Sequence, residues 1–493
     1  MILAKTSQLS NQVQKGEPVR LSFHYNSKVI NKFVNSLFTK VLSQNDMAYL
    51  QGMVETILRE MIVNAVKANT KRVFFKMRNL NIADEGHYRE GMEDFKTYLI
   101  SEINQLPVIL KKNGYKVELF LKKSDKGFRV MVQNNAALLP FEEQRIRFRI
   151  EKAKTYGDFS EIYMDIADDQ EGEGLGIPLT MLFLRNSGIG EDSFSIVSNG
   201  EITQSAFTIP LKLQPAEVTG SIQQQIIDEV RDLPTFPEHV LEMQALCRKK
   251  DVTITELANK ISIDLSLTAA VMKLSNSAGF VTSRRIDTIR EAVKVIGLKN
   301  LNAILVASAT RKIMDERFSS FRDVWNHCNK TAFYARLVAQ RSGLNAVTDM
   351  VFLAGLLHDL GKIILLSTNA DLADKIENLV VKRQVRTSTV LEEVSMGISH
   401  STIGRMIAEK WNFPEYITEA ITYHHAPLNA GDKYRDIVFI IYLANKLCLI
   451  EDNKFDFNYL EDEVLQRFNL MDENEFNRFH RSLEEKFEQQ SAL

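Results

Sequence analysis

Leu357-His358-Asp359-Leu360-Gly361-Lys362 lies in a stretch whose apolar residues recur at helical spacing on both sides. An adjacent His-Asp pair on a helix splays its side chains by about 100°, yet both reach one ion placed off the helix between them. Imidazole and carboxylate together suit Fe, Mn or another divalent metal such as Zn, and mixed sites with open positions activate water for attack on phosphorus. Four more histidines flank the pair, His327 before it and His400, His424 and His425 after it. A lone histidine is more often a core or surface residue than a ligand. The set His327, His358, Asp359, His400, His424 and His425 is instead a candidate metal centre, provided that the fold brings these distant positions together. Lys362 stands one turn beyond the pair, where an ammonium can meet a phosphate, and is the candidate catalytic residue if the site is active.

The surrounding texture divides the chain. After Leu213 the segment Gln214-Pro215-Ala216-Glu217-Val218-Thr219-Gly220-Ser221 loses periodicity and carries Pro and Gly, which marks a linker between residues 1–213 and 222–493. Beyond it the patterns are helical, as in Ile289, Ala292, Val293 and Ile296, so the second domain is expected to be all α, with the charged, aromatic tail from Phe455 packed onto it. Before the linker, alternating segments predict strands at Val73-Phe75-Met77, Val117-Leu119-Leu121, Phe128-Val130-Val132 and Phe207-Ile209-Leu211. Val54, Ile57, Leu58, Met61, Ile62 and Ala65 follow an amphipathic helical stripe. The first domain is therefore expected to be α+β.

That helix carries Glu60, Asn64 and Lys67 on one polar face, a base, a neutral metal ligand and a point charge for phosphate. Gly172, Gly174 and Gly176 follow before an apolar stretch and can let backbone N–H groups approach a phosphate. This order, closed by a strand over Ser205 to Leu213, resembles the GHKL ATPase family, whose Bergerat sandwich binds nucleotide. The resemblance implies an ATP and Mg²⁺ site, with Asn134 where the family's adenine-binding Asp stands and Ala136 and Leu138 where it has glycines. It implies a degenerate domain that senses nucleotide or serves as scaffold, with weak ATP hydrolysis using Glu60 as base as an alternative.

The second domain resembles the HD superfamily, and within it the HDOD family, on Leu233-Pro234-Thr235-Phe236-Pro237, Ile263-Asp264-Leu265-Ser266-Leu267, Leu274-Ser275-Asn276-Ser277-Ala278, the run Ile289 to Leu298 and Lys410-Trp411-Asn412-Phe413-Pro414, in order. The resemblance implies an all-helical, non-catalytic output module of bacterial signalling with signalling proteins as partners. The alternative it implies is a metal-dependent phosphohydrolase acting on cyclic dinucleotides. Asn445 stands where such an enzyme has its last Asp ligand, and the Gly-Tyr-Pro element of the phosphodiesterase branch is replaced after His425.

Composition narrows the partners. The 61 basic and 63 acidic residues leave a net charge of -2, so no global field draws the chain to nucleic acid or anionic lipid. The seven basic residues Arg284, Arg285, Arg290, Lys294, Lys299, Arg311 and Lys312 read as a solvated face, and nucleic acid is not an expected partner. No signal-peptide core opens the chain, and the longest apolar run, Ile437 to Ala444, falls far short of the ~20 residues that cross a bilayer, so no membrane span is expected. Cys247, Cys328 and Cys448 are too far apart for a Cys-x-x-Cys pair and are expected to be reduced in a cytoplasmic protein.

Overall fold

The computed structural model describes residues 2–45, 47, 50–102, 105–156, 161–162, 176–211, 221–249, 252–263, 268–269, 271–272, 275, 286–318, 321–368, 370, 389–451, 457 and 460–491. The chain divides into two compact units, Met1–Val218 and Thr219–Leu493. Residues 212–220, most of the expected linker, lie outside the described residues.

The first unit is α+β. Its sheet has the order β1-β2-β3-β5-β4, with β1 Val19–Phe23, β2 Val117–Ser124, β3 Gly127–Asn134, β4 Ser195–Ser198 and β5 Thr203–Ile209. Every neighbouring pair is antiparallel. Register follows the apolar alternation: Leu121 opposes Val130, which opposes Phe207, so one face is a continuous buried layer. The 27-residue helix Gln51–Met77 packs against the sheet, and its Val54, Ile57, Leu58, Met61 and Ile62 are buried. On the opposite face Glu118 is buried and takes its charge partners from Arg20 and Lys116.

The strand expected at Val73-Phe75-Met77 is the end of that helix. Phe74 and Phe75 are both buried, which a half-exposed strand does not allow. Phe74 packs on Phe95 and Tyr98 at ring separations of 5.5 and 4.7 Å, and Phe75 on Tyr88, all from the helix Glu85–Ser101. A helix covered on two sides lost its 3.6-residue stripe and imitated alternation, while Met77 is exposed. The closing strand runs Thr203–Ile209, leaving Leu211 outside it.

Among the described residues, every element of the second unit is helical. Thr348–Leu357 forms its apolar axis and packs against Ile289–Phe318, Arg322–Arg341, Glu415–Tyr423 and Arg435–Glu451. The tail helix Glu473–Ser491 joins this core through Phe476 and Leu483. Gly297, at φ 77°, breaks the helix Ile289–Phe318, a left-handed conformation that glycine adopts without steric cost. Phe236 stacks on Trp411 at 5.1 Å while the Trp411 indole donates to the Pro234 carbonyl at 2.9 Å, docking the opening segment of the domain onto Lys410-Trp411-Asn412-Phe413-Pro414.

One stretch, Asn345–Thr368, is long and apolar enough to cross a membrane, with a mean hydropathy of 1.7 over its best window. That window is 78% buried, and the stretch is broken at His358-Asp359 into two helices, Thr348–Leu357 and Leu360–Thr368.

Candidate metal centre

The break places a carboxylate where five imidazoles meet. His358 closes the axial helix and Asp359 follows it. His327 comes from Arg322–Arg341, His400 opens His400–Lys410, and His424 and His425 follow Glu415–Tyr423. His358, Asp359, His400 and His424 have no exposed surface.

Asp359 has a different environment on each oxygen. Oδ1 faces the Nε2 atoms of His400 and His424 at 3.3 Å each. Oδ2 faces His358 Nε2 at 3.5 Å and His327 Nε2 at 3.6 Å, and accepts from the Lys362 ammonium at 2.9 Å. Nε2 of His400 lies 3.3 Å from Nε2 of His424 and 3.0 Å from Nε2 of His425. One ligand atom from each of Asp359, His400, His424 and His425 lies within 4.8 Å of the others, and the same holds for His327, His358 and Asp359.

The other ring nitrogens set the tautomers. His358 Nδ1 donates to the Gly355 carbonyl and His424 Nδ1 to the Ile421 carbonyl, both at 2.8 Å. His400 Nδ1 donates to Glu392 Oε2 at 2.7 Å, and the same oxygen accepts the His400 backbone N–H at 2.9 Å. Ligating imidazoles are oriented by carbonyls and carboxylates in this way, with the opposite lone pair turned to the metal. Among the described residues, His358 Nε2 and Asp359 Oδ1 are buried without a hydrogen-bond partner. Buried polar atoms are nearly always partnered, so these two fit a missing cation.

Charge follows the same geometry. Burial drives the His327 imidazole down to about 3 and that of His358 to about 4, against the pull of Asp359. Burial also lowers His424, and lowers His425 well below its ordinary value. His400 goes the other way: burial opposes its charge, but Glu392 and Asp359 raise it to about 9. Burial opposes the Asp359 carboxylate too, yet the imidazoles and Lys362 hold it ionised. Four neutral imidazoles around an ionised carboxylate are the chemistry of a ligand set rather than of an ion-pair network.

The HDOD domain model matches residues 233–427, a span that contains all five of these histidines and Asp359. This segment is an HDOD domain. An uncharacterised protein of Treponema pallidum (strain Nichols) is 25% identical over 487 residues, covering 99% of this chain and 95% of that one. Among solved structures, an HDOD domain protein of unknown function from Geobacter sulfurreducens is 26% identical, covers 54% of this chain and 97% of its own, and has a TM-score of 0.42. A candidate phosphohydrolase from Shewanella amazonensis SB2B is 20% identical, with coverages of 55% and 98% and a TM-score of 0.42.

The HDOD site contains one orienting residue that the sequence reading missed, Glu392. It lies on Thr389–Met396, 3% exposed. The signal available was a carboxylate pair, Glu392-Glu393, in an apolar helix one turn and a loop before His400. Asn445, opposite the HDOD histidines on Arg435–Glu451, accepts from His327 Nε2 at 3.1 Å.

Outside the HDOD domain, the nucleotide skeleton is brought together in part. A Cβ on Gly176 would stand 2.7 Å from Glu60 Oε2 and 3.6 Å from Asn64 Nδ2. Lys67 is half-buried on the same helix, and Gly172 and Gly174 lie outside the described residues. Asn134 does not face an open pocket: it is buried, and its amide donates to Asn69 Oδ1 at 3.0 Å.

Proposed function

We propose that this chain is a signal-transduction regulator whose HDOD domain is a metal-loaded binding module for protein partners. The observation that carries the reading is Asp359 Oδ1, buried and without a hydrogen bond between two imidazoles whose Nδ1 atoms are committed elsewhere. Asp359, His400, His424 and His425 would hold the metal, which would supply Lewis acidity and fix three chain segments at one point. Enclosure of the ligands and the neutral Asn445 favour a structural and switching role over turnover.

A second reading, a metal-dependent phosphohydrolase acting on a cyclic dinucleotide, is favoured by Lys362. Its ammonium rests on Asp359 Oδ2 with 30% of the side chain exposed, and from there it can steady a phosphate. For the first unit we carry forward nucleotide sensing or scaffolding, with ATP and Mg²⁺ as the ligands to test; the closeness of Glu60, Asn64 and Gly176 supports it.

The experiment is metal content per chain beside cyclic-dinucleotide hydrolysis, in wild type and in His358→Ala, Asp359→Ala protein. Metal in wild type, none in the variant and no hydrolysis in either supports the binding module. Hydrolysis lost in the variant selects the phosphohydrolase, and a wild type free of metal sinks both. For the first unit, ATP titration by calorimetry separates sensing from scaffold, since sensing requires binding that Asn64→Ala abolishes.

A further inference from the structure

The two oxygens of Asp359 differ in a way that bears on how many ions the centre takes, an inference that rests on the metal-loaded reading above. On the Oδ1 side the ligand atoms are spaced like the edges of a coordination shell. Divalent metal bonds of about 2.1 Å put neighbouring ligands roughly 3.0–3.4 Å apart. The observed separations are 3.0 Å for His400–His425, 3.3 Å for His400–His424 and 3.3 Å from Asp359 Oδ1 to each of His400 and His424. Oδ1 itself is buried and makes no hydrogen bond among the described residues.

The Oδ2 side is already taken. The Lys362 ammonium donates to Oδ2 at 2.9 Å and supplies a full positive charge there. A second dication on the same oxygen would meet that charge at close range. Asn445, a neutral residue, stands beside His327, and its Oδ1 accepts from His327 Nε2 at 3.1 Å. An Nε2 that donates its proton has no lone pair to give a metal. His327 and His358 also stand wider from Oδ2, at 3.6 and 3.5 Å.

We propose that the centre takes one divalent cation, held by Asp359 Oδ1 and Nε2 of His400, His424 and His425, while Lys362 and Asn445 close the His327 side to a second. Glu392 is the positioning residue of this arrangement. It receives both the Nδ1–H and the backbone N–H of His400, so it fixes the tautomer and the ring angle together. It also supplies the second negative charge that, with Asp359, balances one dication but not two.

The test uses the full chain loaded with Mn²⁺, read by elemental analysis and by electron paramagnetic resonance. One ion per chain with an uncoupled six-line spectrum is the expected result; two ions with an exchange-coupled spectrum overturn the proposal while leaving the metal reading intact. An ion-free wild type defeats the metal reading itself. His327→Ala is expected to keep its ion, and losing it in a folded protein overturns the assignment. Glu392→Gln keeps shape and removes charge, and is expected to weaken Mn²⁺ binding about 10–100-fold in competition with a chelator; unchanged affinity overturns the role of Glu392. Asn445→Asp combined with Lys362→Ala is expected to raise the content to two ions, and a folded double variant that stays at one overturns the explanation for the closed side. Far-UV circular dichroism of each variant shows that it has folded.

Discussion

Gly361 touches the backbone of His400: a Cβ at Gly361 would stand 2.0 Å from the His400 carbonyl oxygen and 2.6 Å from the Gly404 nitrogen. The glycine of the His-Asp stretch thus lets Leu360–Thr368 and His400–Lys410 cross in direct backbone contact, and that contact carries His400 to Asp359. Gly361→Ala is expected to force the helices apart, at about 3 kcal/mol, and to lose bound metal as His400 retreats. Gly404→Ala meets the Cγ2 of Ile421 at 2.6 Å and the Gly361 backbone only at ordinary contact distance, 3.5 Å, and is expected to cost less. Urea unfolding of the two variants measures the difference.

Glu142 ties the first unit to pH. Arg72 binds it with two nitrogens, at 3.2 and 2.6 Å, and Lys71 at 3.2 Å; the Leu139 N–H adds a fourth contact. Burial raises its pKa, but the two cations and the N–H outweigh this and hold it below the usual glutamate value. A depressed folded-state pKa contributes stability that is present above the unfolded value of about 4.3 and is lost as pH falls through the folded one. Wild type should therefore exceed Glu142→Gln in denaturant midpoint at pH 6, with the gap closing below about pH 4. A gap independent of pH would refute this.

Glu451 latches the tail helix. Its carboxylate accepts from Tyr334, from Lys330 and from His480 Nε2 at 3.0 Å, joining Arg322–Arg341 and Glu473–Ser491 to Arg435–Glu451. Removing one partner of a mostly buried set strands the others, so Glu451→Ala is expected to cost about 3 kcal/mol. Faster amide exchange across 473–491, with little change around Thr348–Leu357, is the measurement that checks it.

Trp411 holds the entry of the HDOD domain by stacking and by one hydrogen bond. Trp411→Phe keeps an aromatic ring against Phe236 and loses the bond to Pro234, for about 1 kcal/mol. Trp411→Ala leaves a cavity and is expected to cost about 3–5 kcal/mol. Similar losses in both would show that the bond, not the stack, carries the contact.

Much of this was legible from residue order. Strand segments around Leu119, Val130 and Phe207 alternate because one sheet face is a continuous apolar layer while the other carries polar residues such as Glu118 and Arg129, so period two survives in the sequence. The end of Gln51–Met77 was not legible, because Phe74 and Phe75 are covered from two directions and their stripe widens until it no longer reads as a helix. Asn345–Thr368 escaped notice because a search for unbroken apolar runs stops at His358 and Asp359.

The histidine and aspartate inventory, the helical character of the second unit and the α+β character of the first follow from chain chemistry, because side-chain type and periodicity are local properties. Convergence of His327, Asp359, His400 and His424 is not local. It depends on helices far apart in the chain crossing at Gly361 and on the neighbours that cover them. The same is true of the tautomers, which are set by Gly355, Glu392 and Ile421 through contacts that no spacing announces. Asn445 shows the division most plainly: its identity could be read in order, but its meaning, a hydrogen bond that occupies His327, exists only where two helices bring them to 3.1 Å.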